Sequence, residues 1–275
     1  MVKKAYYKNL RRQMMKSKSR FLAIFFIVFL GAALFAGLRN TPLMMAETVD
    51  GYLDAFHRAD LTYISTLGFS EEDIQSLSEI DEIKQISYGY QFDALLNNED
   101  QTLGITVYTN QEFNDDMVNK PDLIDGRYPQ KDNECLLDES LQLDESIKIG
   151  QTIHIKNDQG EKDFEVVGII NDTRYITSMD RGTNTLGNGT NNGYIQILSK
   201  DNEWLALPED LYELRDEDVL YSQINVIVEG ASSYNTFSDE YDEYIEKANT
   251  KIKSHLSLRM SRLYEDIISD AKEEI

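Results

Sequence analysis

The sequence predicts an α+β fold: a single N-terminal transmembrane helix, an extracytoplasmic mixed-sheet domain, and a long C-terminal coiled-coil-like helix. Three observations predict it. Residues 21–38, FLAIFFIVFLGAALFAGL, are an uncharged run of 18 residues that would span roughly 27 Å as a helix, close to the hydrocarbon thickness of a bilayer. Between 39 and 230, short period-two runs alternate with turn residues and two helical stripes. From 238 to 275 there is no Gly or Pro, and apolar residues recur at steps of four and three. The expected organisation is a cytoplasmic basic amphipathic helix (1–20), the span (21–38), the outer domain (39–230) and the long helix (231–275).

The head places Tyr6, Leu10 and Met14 on one helical face, with Tyr7 beside them. It carries eight cations, Lys3, Lys4, Lys8, Arg11, Arg12, Lys16, Lys18 and Arg20, and no Asp or Glu. By the positive-inside rule this cluster stays cytoplasmic, and the chain after about residue 40 lies outside. Phe21, Phe25, Phe29, Leu30, Leu34 and Leu38 are the expected lipid-facing anchor. A cleavable signal peptide competes with an anchor, but its apolar region runs only about 7–15 residues and ends in an A-x-A-like site. Cleavage after Ala36 would put Leu34 at the −3 position. Gly31, Gly37 and the alanines between them form a small-residue face against which another membrane helix could pack.

Thr41 and Pro42 suggest the N-cap and first position of a second helix. Its stripe of Leu43, Ala46, Val49, Leu53 and Phe56 should contact the outer domain, and His57 should end it beside the helix dipole. Leu61–Thr66 alternates as a strand. Ser70, with Asp73 three residues on, is a carboxyl variant of the capping box, and Ile74, Leu77 and Ile80 give that helix its buried face. A long strand is expected from Ile83 to Leu95. A turn at 97–100 then leads to a partner strand at 102–109. Asp125-Gly126 reads as a turn, 133–137 as a buried strand, and 139–143 as a brief helix. Residues 152–156 and 162–170 form a hairpin about Asn157-Asp158-Gln159-Gly160. The Gly, Asn, Thr and Ser of 178–193 read as a flexible polar rim loop. Strands follow at 194–199 and 221–230, with Trp204 and Leu207 covering an edge. In the last helix Tyr241, Ile245, Ala248 and Ile252 form one stripe, and Leu256, Met260, Leu263 and Ile267 another, slightly out of phase. With no stop signal at its end, this helix reads as cut from a longer one. Packing back on the domain is the competing expectation.

The formal charge is −22; setting aside the eight head cations leaves 19 Lys and Arg against 49 Asp and Glu, a charge of −30 on the remainder. Nucleic acid is therefore not an expected partner, because such binding rests on basic surface. Cationic peptides, metal ions and other proteins are easier ligands for so acidic a domain. The single cysteine, Cys135, sits in the apolar run ECLLD and reads as a small buried hydrophobe. No catalytic constellation is present: the three histidines, His57, His154 and His255, lie in unrelated elements, and nucleophile-elbow, zinc-protease, phosphate-loop and C-x-x-C patterns are missing. No enzyme activity, cofactor or metal site is expected.

The order of certain short motifs resembles a known family. Ala59-Asp60-Leu61 is followed by Ser70-Glu71-Glu72-Asp73, by Ile80 and Ile83, and by Gly126-Arg127-Tyr128-Pro129 with Asn133-Glu134. Then come Ile149-Gly150-Gln151-Thr152-Ile153 and Phe164-Glu165-Val166-Val167-Gly168-Ile169. Over residues 1–230 this resembles the N-terminal part of an FtsX-like ABC transporter permease with its MacB-type extracytoplasmic core domain. The resemblance implies a cell-membrane protein that pairs with a second permease subunit or copy and with a cytoplasmic ABC ATPase. Movement driven by ATP would then serve export or regulation of envelope partners. The further spans of such a permease, and its ATPase-contacting loop, are not in this sequence, so it reads as a fragment. The competing reading is a single-span sensor or ligand-binding ectodomain.

Overall fold

A computed structural model describes residues 2–16, 18–98, 101–142, 147–199 and 219–273. The chain divides into two units, 1–51 and 52–275. The expected positions of Trp204 and Leu207 fall outside the described residues, as do the tip of the turn at 99–100 and Leu143.

The first unit holds α1 (Val2–Lys16) and most of α2 (Lys18–Ala55). Helix α2 contains an 18-residue window apolar enough to cross a membrane, with none of it buried. It does not stop near Thr41 as the sequence suggested. The Thr41 hydroxyl donates back to the Gly37 carbonyl at 2.8 Å, one turn earlier, so Thr41 stands inside the helix and caps nothing. Pro42 is accommodated within it. The expected stripe also shortens: Leu43 is 69 % exposed, and only Leu53 is buried in the whole helix.

In the second unit, β1 (Leu61–Phe69), α3 (Glu71–Ser78) and β2 (Ile83–Gly89) form a split β-α-β unit, because β10 (Tyr221–Val228) inserts between the two strands, antiparallel to both. The capping box forms as expected: the Ser70 N–H donates to Asp73 Oδ2 at 3.0 Å and the Asp73 N–H to Ser70 Oγ at 3.3 Å. Helix α3 and α4 (Asp239–Glu273) cover one face of this small sheet. Leu77, Ile224, Val226 and Ile252 are completely buried there. The first stripe of α4 thus packs back on the domain, with Tyr241 and Ile245 partly buried and Ala248 and Ile252 buried. The side chains of Met260, Leu263 and Ile267 lie outside the description.

The remaining strands are β3 (Gln91–Asn98), β4 (Gln101–Asn110), β5 (Asp122–Gly126), β6 (Glu134–Asp138), β7 (Thr152–Asn157), β8 (Gly160–Asn171) and β9 (Gly193–Leu198). They run in the order β5-β8-β6-β9-β4-β3-β7, and β7 pairs again with β8. Six strands therefore close into a small barrel, with β5 as a flap. Closure removes edges. Leu96, Ile105, Val107, Cys135, Leu137, Ile155, Phe164, Val166, Ile195 and Ile197 fill the interior with no exposure. The β4–β9 and β6–β8 pairs are parallel and the others antiparallel, so the sheet is mixed, as expected. The hairpin of β7 and β8 also forms, and Asn157 Oδ1 accepts the Gln159 and Gly160 N–H groups at its turn.

Three expectations change. The long strand from Ile83 to Leu95 is two strands in two sheets, broken where β2 crosses β4: a Cβ on Gly89 would lie 2.6 Å from the Thr109 carbonyl oxygen. Asp125-Gly126 ends strand β5 and makes no hairpin. The brief helix is a 3-10 turn over Glu139–Leu141.

The later motifs that carried the resemblance, from Gly126 onward, converge on one strand, β8. Gly126 pairs with Gly168, and its φ of +85° with the Val167 carbonyl oxygen 2.3 Å from a notional Cβ requires glycine. The Arg127 N–H donates to the Val167 carbonyl at 3.0 Å, the Gly150 N–H donates to Val166 at 2.8 Å, and the Val166 N–H donates to Gln151 at 2.9 Å.

Candidate functional site

Where α2 ends, the chain is tied down densely. The Arg58 N–H donates to Leu53 and the His57 N–H to Asp54, the pair of bonds that defines a Schellman motif. The left-handed position carries His57, at φ +51°, in place of the usual glycine. Asn119, also left-handed at φ +53°, completes the lock. Its N–H donates to the His57 carbonyl at 2.8 Å, and its Oδ1 accepts the Ala59 N–H at 2.8 Å. The Lys120 N–H donates to Phe56, and the Tyr52 hydroxyl to Asp122 Oδ2 at 3.0 Å. Two residues on, Asp60 joins the small sheet to α4. Its carboxylate accepts the Val228 N–H at 2.7 Å and the Tyr241 hydroxyl at 2.6 Å. Burial pushes its pKa up, against the pull of these donors.

A second concentration of polar groups lies outside the barrel, over β4, β6 and β9. Both faces of β6 and β9 are buried, because residues 172–192 cover the outer one. Asp172 anchors this cover: its carboxylate accepts from the Arg174 N–H and guanidinium, each at 2.9 Å, and from Gln196 at 2.6 Å. The Arg174 guanidinium lies 4.0 Å over the Tyr108 ring, and the Tyr175 and Tyr194 rings stack at 5.2 Å. Arg181 Nη2 reaches the buried Asp138 at 2.9 Å, where desolvation raises the carboxyl pKa. Asn184 and Asn191, both buried, donate to the Ile105 carbonyl and to Thr106 Oγ1 at 2.8 Å. Within the segment expected as a flexible polar rim loop, Asn184 and Asn191 thus tie the chain to β4, while Met179 and most of 182–190 are exposed.

Between the two sheets of the outer unit lies a cleft of about 360 Å³. One wall is β2 from Gln85 to Tyr88, and the other is the stretch after β4, including Glu112 and Asp116.

The anchor residues Phe21, Phe25, Phe29, Leu30, Leu34 and Leu38 are each 50–73 % exposed along α2, and Lys8, Arg11, Arg12, Lys16, Lys18 and Arg20 are exposed. Nothing is described for the side chains of Lys3 and Lys4. His154 is exposed and faces Asp163 at 2.5 Å, and Cys135 is buried with its thiol pKa pushed up by desolvation. Among the described residues, no group of three His, Cys, Asp or Glu could hold a metal ion. Sequence reasoning missed the Asp172 network and the cleft. Gln196, a polar residue between Ile195 and Ile197 in an otherwise apolar strand, was the one available signal for the first.

The fold and these sites define an α+β outer domain, a split β-α-β unit joined to a closed barrel, that follows directly from an apolar helix. The chain belongs to the family of the MacB-like periplasmic core domain, whose model matches residues 21–244. The resemblance read from the motifs is therefore borne out, and with α2 it makes the chain a membrane-anchored extracytoplasmic domain of the ABC transporter permease kind. Among solved structures, the chain is similar to the extracellular domain of the noncanonic ABC-type transporter YknZ from Gram-positive bacteria, at 15 % identity over 68 % of this chain and 87 % of that one, with a TM-score of 0.37. It is also similar to the periplasmic region of MacB from Actinobacillus actinomycetemcomitans, at 14 % identity over 78 % and 86 %, with a TM-score of 0.38. No curated protein matches it.

Proposed function

We propose that this chain is the anchored outer domain of an ABC transporter permease and couples a separate cytoplasmic ATPase to export or to regulation of envelope partners. The carrying observation is the continuity of α2 from Lys18 to Ala55 into the lock formed by His57 and Asn119. From Tyr52 onward the end of α2 is bonded to Asp122 of β5 and to the residues just before β1, so a displacement delivered there would enter the outer domain at those two strands. In this reading the basic head is cytoplasmic, and the partners are the membrane, a second permease subunit or copy, the ATPase, and an envelope protein or cationic peptide outside.

Purification of the tagged chain from its native membrane should recover a Walker-motif ATPase by mass spectrometry; repeated recovery of none would overturn the coupling. Orientation has its own test. Because Cys135 is buried, a cysteine at Met179, 91 % exposed, should react with a membrane-impermeant maleimide in intact cells, and one at Lys8 only after permeabilisation. The reverse pattern would invert the topology.

A further inference from the structure

The cleft between the sheets is a fork at which two paired strands part. The β3–β4 ladder ends at Gln91 and Tyr108, and a last bond runs from the Thr109 N–H to the Tyr90 carbonyl at 3.0 Å. Beyond it β2 turns into the small sheet, where among the described residues it pairs only with β10, on its far side, and the chain after Asn110 diverges. Gln85, Ile86, Ser87 and Tyr88 all line the opening. Successive side chains of a strand point to opposite faces, so four in a row on one cleft mean that it follows the strand's edge. That edge is about 13 Å long at roughly 3.3 Å per residue, and an unpaired edge offers main-chain donors and acceptors to an incoming strand. The opposite wall carries Glu112 and Asp116, and among the described residues no Lys or Arg lines the cleft. Among the described residues a bond from Gln85 Nε2 to the Asp116 carbonyl crosses it at 2.7 Å, and an entering strand would replace it.

We propose that this cleft binds an extended basic polypeptide segment, which adds as a strand along β2 with its cations against Glu112 and Asp116. The occupant's charge follows from the two carboxylates and from the −30 carried by the chain beyond its first eight cations, 19 Lys and Arg against 49 Asp and Glu. Acidic segments are repelled, and an apolar one leaves the carboxylates unmatched. The inference gives a site to the cationic partner named above and rests on that part of the reading.

The test uses the full 275-residue chain in neutral-lipid nanodiscs, titrated with an end-blocked hexapeptide of alternating lysine and valine. Two controls are its glutamate-valine counterpart and a version methylated on alternate backbone nitrogens. The lysine peptide should bind at least about tenfold more tightly than either control. Hydrogen exchange should slow at residues 85–88, and the pair Glu112→Gln with Asp116→Asn should weaken binding about fivefold or more with an unchanged circular dichroism spectrum. Equal binding of the methylated peptide, equal binding of both charges, protection confined to other strands, or no binding overturns the proposal. No ATPase or nucleotide is present, so failed co-purification removes the coupling alone and failed titration removes the cleft alone.

Discussion

The Arg127 guanidinium holds the Glu134 carboxylate through two parallel bonds, Nη1 to Oε2 at 2.8 Å and Nη2 to Oε1 at 2.7 Å. The carboxylate is wholly buried and also accepts the Gln130 N–H at 2.8 Å. The arginine's donors, with the Gln130 amide adding to them, lower the Glu134 pKa to about 2. A carboxylate whose folded pKa is depressed stabilises the fold above its unfolded pKa, and this contribution is lost as pH falls through the folded value. Acid unfolding followed by circular dichroism should therefore show a component between about pH 4.5 and pH 2 that Glu134→Gln removes. Arg127→Ala leaves the buried carboxylate with the Gln130 N–H and the more distant Lys131 and should lower the urea midpoint at neutral pH. A neutral-pH stability unchanged by Arg127→Ala would mean that the buried carboxylate finds other donors.

Asp73 serves two helices at once. Its carboxylate caps the Ser70 N–H at the start of α3 and accepts from Arg259 Nε of α4 at 2.8 Å, while Arg259 also reaches Glu72 at 3.1 Å. Glu72 is 80 % exposed and Asp73 only 4 %, so the two contacts should differ in worth. Glu72→Ala should change stability by less than about 1 kcal/mol. Asp73→Ala loses the cap as well and should cost about 1–3 kcal/mol. A double-mutant cycle with Arg259→Ala in urea should give a coupling of about 0.5 kcal/mol or more for Asp73. A zero coupling would show that the Asp73–Arg259 pair adds nothing to the hold on α4.

What the sequence disclosed divides along physical lines. Period and caps are local, so the Ser70 box, the β7–β8 hairpin and the apolar run of α2 were all readable from neighbouring residues. Boundaries that depend on distant partners were not. Thr41 is as good an N-cap as an internal residue, and only the helical path of 37–45 decides between them. Ile83–Leu95 alternates without a break, and the crossing of Gly89 over Thr109 splits it. Barrel closure comes from the pairing of β7 with the distant β3, which leaves no local signature. The Asp172 network joins residues from positions 108 to 196, which reads along the chain as scattered polar residues. Of the motifs behind the family resemblance, those at 126–134, 149–153 and 164–169 meet around β8, whereas Asp60 and the Ser70 box hold the small sheet and its helices.

Phe29 stands near the middle of the apolar run, and 55 % of it is exposed. In the anchored reading that exposure faces lipid. Phe29→Lys should disfavour insertion by about 2.5–3.5 kcal/mol, and carbonate extraction of membranes should release a measurable share of the variant while the parent stays in the pellet. Phe29→Leu should behave as the parent does. A Phe29→Lys chain retained as fully as the parent would place the membrane core elsewhere on α2.

Asn119 offers the sharpest test of the lock at the end of α2, because its backbone and its side chain contribute separately. The left-handed φ of +53° costs a residue with a Cβ roughly 1 kcal/mol or more, and glycine adopts it freely. The Oδ1 acceptor holds the Ala59 N–H, a bond worth about 0.5–1.5 kcal/mol. Asn119→Gly keeps the conformation and loses the bond, whereas Asn119→Ala loses the bond and adds strain. Alanine should therefore destabilise more than glycine by about 1 kcal/mol, read from urea midpoints at equal slope. If coupling runs through this lock, Asn119→Ala in the assembled permease should also lower ATP-driven work outside more than it lowers ATP hydrolysis. Equal losses in both would mean that α2 passes its motion to the outer domain by another route.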